Sequence, residues 1–180
     1  MIILASKSPR RKELLSLITD DFTVDSSEVD ETLPSGIEPD KAVEYLSKIK
    51  AQPFRKSGKI VIGADTVVAI DGKILGKPKN EKDAFLMLKN LSGKEHSVFT
   101  GVTVIKNDKE VTFSVQTKVK FFELDDREIE DYISSGEPFD KAGAYGIQGK
   151  GSLFVEKIAG VYFNVVGLPI SRLARQLKSI

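Results

Sequence analysis

Two arginines stand side by side in SKSPRR, residues 6–11, where the chain turns into a helix. A helix N-terminus already offers free N–H groups and about half a positive charge. Arg10 and Arg11 are unfavourable there unless something anionic joins them. Phosphate oxygens would do so, because guanidinium groups bind them bidentately. The competing reading is two solvated arginines, paired with Glu13 or Asp20. Ser8 sits where a cap belongs, and Pro9 suits the first helical turn, where a missing N–H costs nothing.

Four further stretches carry chemistry-bearing residues. In GADTVV, Asp65 follows an apolar run, and α/β sheets place chemistry at the C-terminal ends of their strands. An acid there is costly unless paired or metal-bound. Thr66 adds a hydroxyl; the alternative is a structural aspartate bonded to a turn. In SEVDET, Glu28, Asp30 and Glu31 cluster in a loop, with Glu28 and Asp30 on one side. Magnesium takes one or two carboxylates plus substrate phosphates, although an acidic surface loop would look the same. Lys50 lies beside the apolar row of its helix, and Lys77 lies in GKP; either could meet phosphate or be merely solvated. In GEPFDKAGAYGIQGKG, residues 136–151, the glycines let backbone approach a ligand, and Gln148 can read a base edge with donor and acceptor. Glu137 and Lys141 are further substrate-binding candidates in that loop.

Other signals are missing. The pattern GxxxxGK[ST] does not occur, and GIQGK has the wrong spacing for it, which excludes a P-loop enzyme. GxGxxG is absent too. A serine triad would depend on His96, the only histidine, which reads as a partly exposed strand residue.

The elements that must position these groups follow from periodicity. Residues 2–5 read as a short buried strand, and Phe22 to Ser26 as a second. Residues 39–51 form a helix with Ala42, Leu46 and Ile49 on one stripe. IVIGA is continuously apolar, as in a strand buried on both faces, and Asp71-Gly72 signals a hairpin. A helix starts at Asn80 or Glu81 and runs to Leu91. Strands over 96–106 and 110–121 meet around Asn107-Asp108. The second alternates strictly, from Val111 to Phe121, between a dry and a wet face. Asp125 or Asp126 caps a helix to Ser135, SLFVEKI reads as a strand, and the tail from Pro169 reads as a helix. This order predicts an α/β class with a mixed sheet.

Composition narrows the class of protein. The 180 residues are 41% hydrophobic and 29% charged, as in a soluble globular protein. Net charge is +1, so no global field draws the chain to nucleic acid or an anionic membrane. With no cysteine, disulfides, thiolate metal sites and a cysteine nucleophile are excluded. No signal peptide is expected and no stretch approaches the ~20 apolar residues of a membrane helix. A cytoplasmic location is the expectation.

With SKSPRR, VDE, GADT, GKP and GEPFDKAGAYGIQG in that order, the chain resembles the Maf (septum-formation inhibitor) family of nucleotide pyrophosphatases over nearly its whole length. The resemblance implies one domain over residues 1–180, an elongated mixed α/β fold whose two lobes flank a central cleft, similar to inosine triphosphate pyrophosphatases. It implies hydrolysis of a nucleoside triphosphate to monophosphate and pyrophosphate with a divalent metal, magnesium or alternatively manganese. Asp65 falls on the proton acceptor, and Ser8, Arg10 and Arg11 fall in the phosphate motif. Glu31, Lys50 and Lys77 match positions near metal or phosphates, with Glu31 and Asp65 as the metal's carboxylates. Arg11, Thr66 and Gln148 match positions linked to substrate choice, in the manner of the dTTP and UTP branch rather than the 7-methyl-GTP branch. The expected partner is the nucleotide alone, without nucleic acid or membrane; the long alternating strands could pair across a homodimer. The rival reading is a non-catalytic regulator of septum formation that binds nucleotide or nucleic acid.

Overall fold

The computed structural model describes residues 1–180. It contains β1 (Ile2–Ala5), α1 (Pro9–Ser16), β2 (Phe22–Asp25), α2 (Pro39–Ala51), β3 (Ile60–Ile70) and β4 (Lys73–Leu75). There follow α3 (Glu81–Leu91), β5 (Glu95–Lys106), β6 (Lys109–Phe121), α4 (Asp126–Ser134), β7 (Val155–Ala159), α5 (Tyr162–Val166) and α6 (Ile170–Ser179). The seven strands form one sheet in the order β2-β1-β3-β5-β6-β7, with β4 paired to β3. β1 is parallel to both β2 and β3, whereas the β3–β4 and β6–β7 pairs are antiparallel. The mixed α/β class expected from the sequence is the observed one. No helix is long and apolar enough to cross a membrane.

The chain divides into two compact units. The first holds Met1–Thr66, Phe99–Val115 and Phe163–Ile180; the second holds Val67–Val98 and Gln116–Tyr162. In the first unit, Ala5, Ala51, Val61 and Ile105 form a buried cluster with Phe54 packed against it. In the second, Phe121, Tyr145, Phe154 and Tyr132 meet edge-on or tilted, the arrangement aromatic quadrupoles prefer.

Helix α2 lies unusually close to the sheet, and two glycines allow it. A Cβ on Gly63 would sit 2.1 Å from the Ser47 carbonyl oxygen, and one on Gly101 would sit 2.2 Å from that of Val43. The contact is with main chain, so no rotamer can relieve it. Ser47 Oγ then reaches Thr103 Oγ1 at 2.9 Å, fastening helix to strand. Gly101→Ala should cost about 3 kcal/mol, at the upper end of ordinary overpacking. Urea unfolding checks this, and an unchanged midpoint would remove the close approach as the reason for glycine.

Turn chemistry behaves as the sequence predicts. Asp71 and Gly72 both have positive φ, 51° and 74°, as the tight β3–β4 hairpin demands. Asn107 does the same between β5 and β6, with φ 54°. Asn80 caps α3 by accepting from the Asp83 N–H, and Asp125 with Glu128 builds a capping box on α4.

Two expectations need correction. SLFVEKI is not a strand throughout: residues up to Phe154 form a 3-10 turn, and β7 begins only at Val155. Phe154 packs in the aromatic cluster, and its carbonyl accepts from the Phe122 N–H at 3.0 Å just beyond β6. Asp65 does not follow the end of β3, which runs through it to Ile70. The strand that ends is β1, whose pairing with β3 stops at Ala5 opposite Gly63.

Candidate active site

Beyond Gly63 the chain of β1 has turned away into α1, so Asp65 and Thr66 have no β1 partner. Strand alternation sends these two side chains to opposite faces. Asp65 reaches α2, where Lys50 Nζ donates to its Oδ1 at 2.5 Å. Thr66 reaches α1, where Arg11 Nη2 donates to its Oγ1 at 3.0 Å. Both faces belong to the first unit. Asp65 also opposes the lowering of the Arg11 pKa, so the two charges sense each other around the strand.

Lys50 is the hinge of the acidic side. Its ammonium lies 3.0 Å from Glu31 Oε2 as well as against Asp65. Side-chain exposure is 18% for Lys50 and 13% for Asp65, but 54% for Glu31. The inner pair is therefore shielded from water, and the outer pair is screened. Of the three acids in the 28–31 loop, only Glu31 joins this cluster. Asp30 instead turns onto Thr32, accepting from its N–H at 2.9 Å; the Thr32 side chain first, and then its N–H, hold the Asp30 pKa below the ordinary carboxylate value.

Arg11 is tied down at every nitrogen. Its Nε donates to the Gly167 carbonyl at 2.9 Å and its Nη1 to Ser6 Oγ at 3.3 Å, besides the bond to Thr66. Burial pulls its pKa down from the ordinary value, while Asp65 and Glu31 pull the other way. Neither Glu13 nor Asp20 is its partner. Ser8 caps α1 as expected, accepting from the Arg11 N–H at 3.4 Å, with Pro9 in the first turn. Arg10 follows in that turn and repels Arg11. Ser6 and the Gly167 carbonyl did not stand out in the sequence; only the serine-rich turn hinted at the first.

The two carboxylates assigned to a metal converge on one cation position, since both contact the same ammonium. No group of three or more His, Asp or Glu side chains gathers anywhere to hold a metal ion. Two hard-oxygen ligands are nonetheless what Mg²⁺ takes when substrate phosphates complete its shell. The donor set of Glu31 and Asp65 fits such an ion.

The remaining candidates lie in the second unit. Lys77 and Gln148 are exposed. Glu137 is not turned outward: it accepts from the Lys150 and Gly151 N–H groups and from Tyr132 Oη, at 3.0 to 3.2 Å. Lys141 Nζ donates to the Glu137 carbonyl and to Asp140, each at 2.7 Å. The charged atoms of both residues hold the 136–151 loop together. Gly143 N–H donates to the Gly76 carbonyl at 3.0 Å, tying that loop to GKP.

His96 is not partly exposed, contrary to expectation. It is 3% exposed, its Nε2 lies 2.7 Å from Tyr145 Oη, and its Nδ1 has no partner. Burial drives its pKa from 6.5 down to about 4, and Glu95 offsets this only in part. In the unfolded chain the imidazole takes a proton at ordinary acidity; in the folded protein it does not. Stability is therefore full above pH 6.5 and falls as pH drops from 6.5 towards about 4. The slope is about 1.4 kcal/mol per pH unit at most. Thermal midpoints across that window should show the slope, and His96→Asn should flatten it.

The family model described as "Maf-like protein" matches residues 1–180. A Bacillus cereus (strain AH187) protein named dTTP/UTP pyrophosphatase is 55% identical over 179 residues, covering 98% of this chain and 94% of the relative. One of the same name from Bacillus pumilus (strain SAFR-032) is 52% identical over 180 residues, covering 99% and 95%. Among solved structures, a HAM1 protein from Coxiella burnetii aligns with a TM-score of 0.53 at 12% identity, over 99% of this chain and 98% of that one. The Staphylococcus aureus Ham1 protein aligns with a TM-score of 0.50 at 16% identity, over 67% and 71%. At such identities these two speak for the fold alone.

Proposed function

The chain belongs to the Maf family, and from that premise we propose that it hydrolyses dTTP and UTP to the nucleoside monophosphate and pyrophosphate. Relatives more than half identical over nearly the whole chain carry that activity in their names. The observation that carries the mechanism is the Lys50 ammonium held between Asp65 and Glu31.

Water attacks the α-phosphorus and the bond to the bridging oxygen of pyrophosphate breaks. Asp65 takes the proton from that water. Its Oδ1 is engaged by Lys50, which aims the carboxylate. Arg10 and Lys50 stabilise charge moving onto pyrophosphate. A divalent cation, magnesium or manganese, would be held by Glu31 and Asp65 and would neutralise phosphate charge. Arg11 and Thr66, joined by a hydrogen bond, bind the nucleotide as a fixed pair.

Incubating the purified protein with each nucleoside triphosphate and Mg²⁺, and quantifying pyrophosphate and monophosphate, tests this reading. Equal amounts of both products from dTTP and UTP are expected. Binding without any pyrophosphate would instead favour a non-catalytic regulator.

A further inference from the structure

A hydroxyl carries one proton, so a chain of hydroxyls has a direction. Thr100, on β5, is fully buried, and its Oγ1 donates to the Asn164 carbonyl at 2.9 Å. A carbonyl can only accept, so the Thr100 proton is spent there. Thr66 Oγ1 lies 2.9 Å from Thr100 Oγ1. Thr66 must therefore be the donor of that bond. Arg11 Nη2 donates to the same Thr66 oxygen at 3.0 Å. Thr66 is left with no proton to offer and one open lone pair. Gly167 is its neighbour: a Cβ there would sit 3.6 Å from Thr66 Oγ1, in ordinary contact.

We propose that Thr100 is a positioning residue that makes Thr66 an acceptor-only group, and that Thr66 thereby binds a donor on the nucleoside rather than a phosphate. Phosphate oxygens offer lone pairs, and a lone pair facing Thr66 would be repelled. The nucleoside end carries N–H and O–H donors. Thr100 does its work from inside the sheet, by taking the Thr66 proton away from the ligand and from Arg11. Without it the Thr66 hydroxyl is free to turn its proton towards the ligand, so that a donor meets the nucleoside's donor. The inference rests on the reading above, in which Thr66 contacts the nucleotide.

Thr100→Val keeps the shape and removes the acceptor, whereas Thr100→Ser keeps both. The probes are dTTP and inorganic tripolyphosphate, which has the phosphates and no nucleoside. Thr100→Val should raise the KM for dTTP about tenfold, the scale of one lost hydrogen bond, with kcat nearly unchanged. Its inhibition constant for tripolyphosphate should not move, and Thr100→Ser should behave as wild type. Equal weakening of both probes, or of neither, overturns the inference. If Thr100→Val does not fold, Thr66→Val must show the same split between the probes, and its failure to do so has the same force. Should the wild-type protein release pyrophosphate from dTTP while the split is absent, this inference alone falls. Should it release none, the parent reading falls and takes this one with it.

Discussion

Asp65→Asn should lower kcat for dTTP by about 10²–10⁴, the usual span for loss of a general base, while nucleotide binding is largely kept. Asparagine has nearly the same shape, and its carbonyl oxygen can still accept the Lys50 bond that now falls on Oδ1. Lys50 also keeps Glu31 as a counter-charge. The substitution thus removes a proton acceptor without leaving a bare ammonium in a shielded place. Turnover and nucleotide affinity should be measured on the same preparation. Full activity would remove Asp65 from the chemistry.

Lys50→Met should be nearly as damaging, for a different reason. Lys50 neutralises two carboxylates at once. Without it, Asp65 and Glu31 are left unpaired beside each other, with Asp65 mostly shielded from water. Losing one such electrostatic stabiliser lowers kcat by about 10²–10³. Stripping the partner from a buried charge also costs about 3 kcal/mol of stability, so melting must be followed alongside kinetics. Lys50→Arg should restore part of both, because a guanidinium can still bridge two carboxylates. Wild-type turnover in Lys50→Met would place the ammonium outside the reaction.

Much of the scaffold was legible because it depends on local pattern. Ser8, Asn80 and Asp125 cap their helices as their types suggest, and Asp71-Gly72 turns the hairpin. Of the apolar stripe read on α2, Ala42 and Leu46 are buried and Ile49 is half-buried. Asp65 stood out because an acid in an apolar strand demands a partner, and Lys50 supplies it. What stayed hidden was contact across long stretches of chain. Arg11 is fixed by a carbonyl 156 positions away. No local spacing announces that bond, and it is what sets Arg11 beside Thr66.

The same limit explains the glycine-rich loop. Its glycines and lack of period marked it as structured, and Gln148 is indeed exposed within it. Glu137 and Lys141 were substrate-binding candidates by their residue types alone. Their bonds run to backbone N–H and carbonyl groups of the loop, which sequence does not number. His96 misled in the opposite sense. A lone strand histidine has no period of its own, and the rings that pack on it, Phe121 of β6 and Tyr145 of the loop, come from distant parts of the chain.

Hydrolysis of dTTP in water enriched in oxygen-18 reads directly which phosphorus is attacked. Attack on the α-phosphorus beside Asp65 puts the label in thymidine monophosphate and leaves the pyrophosphate unlabelled. Label in the pyrophosphate, or release of orthophosphate in its place, would contradict the assignment.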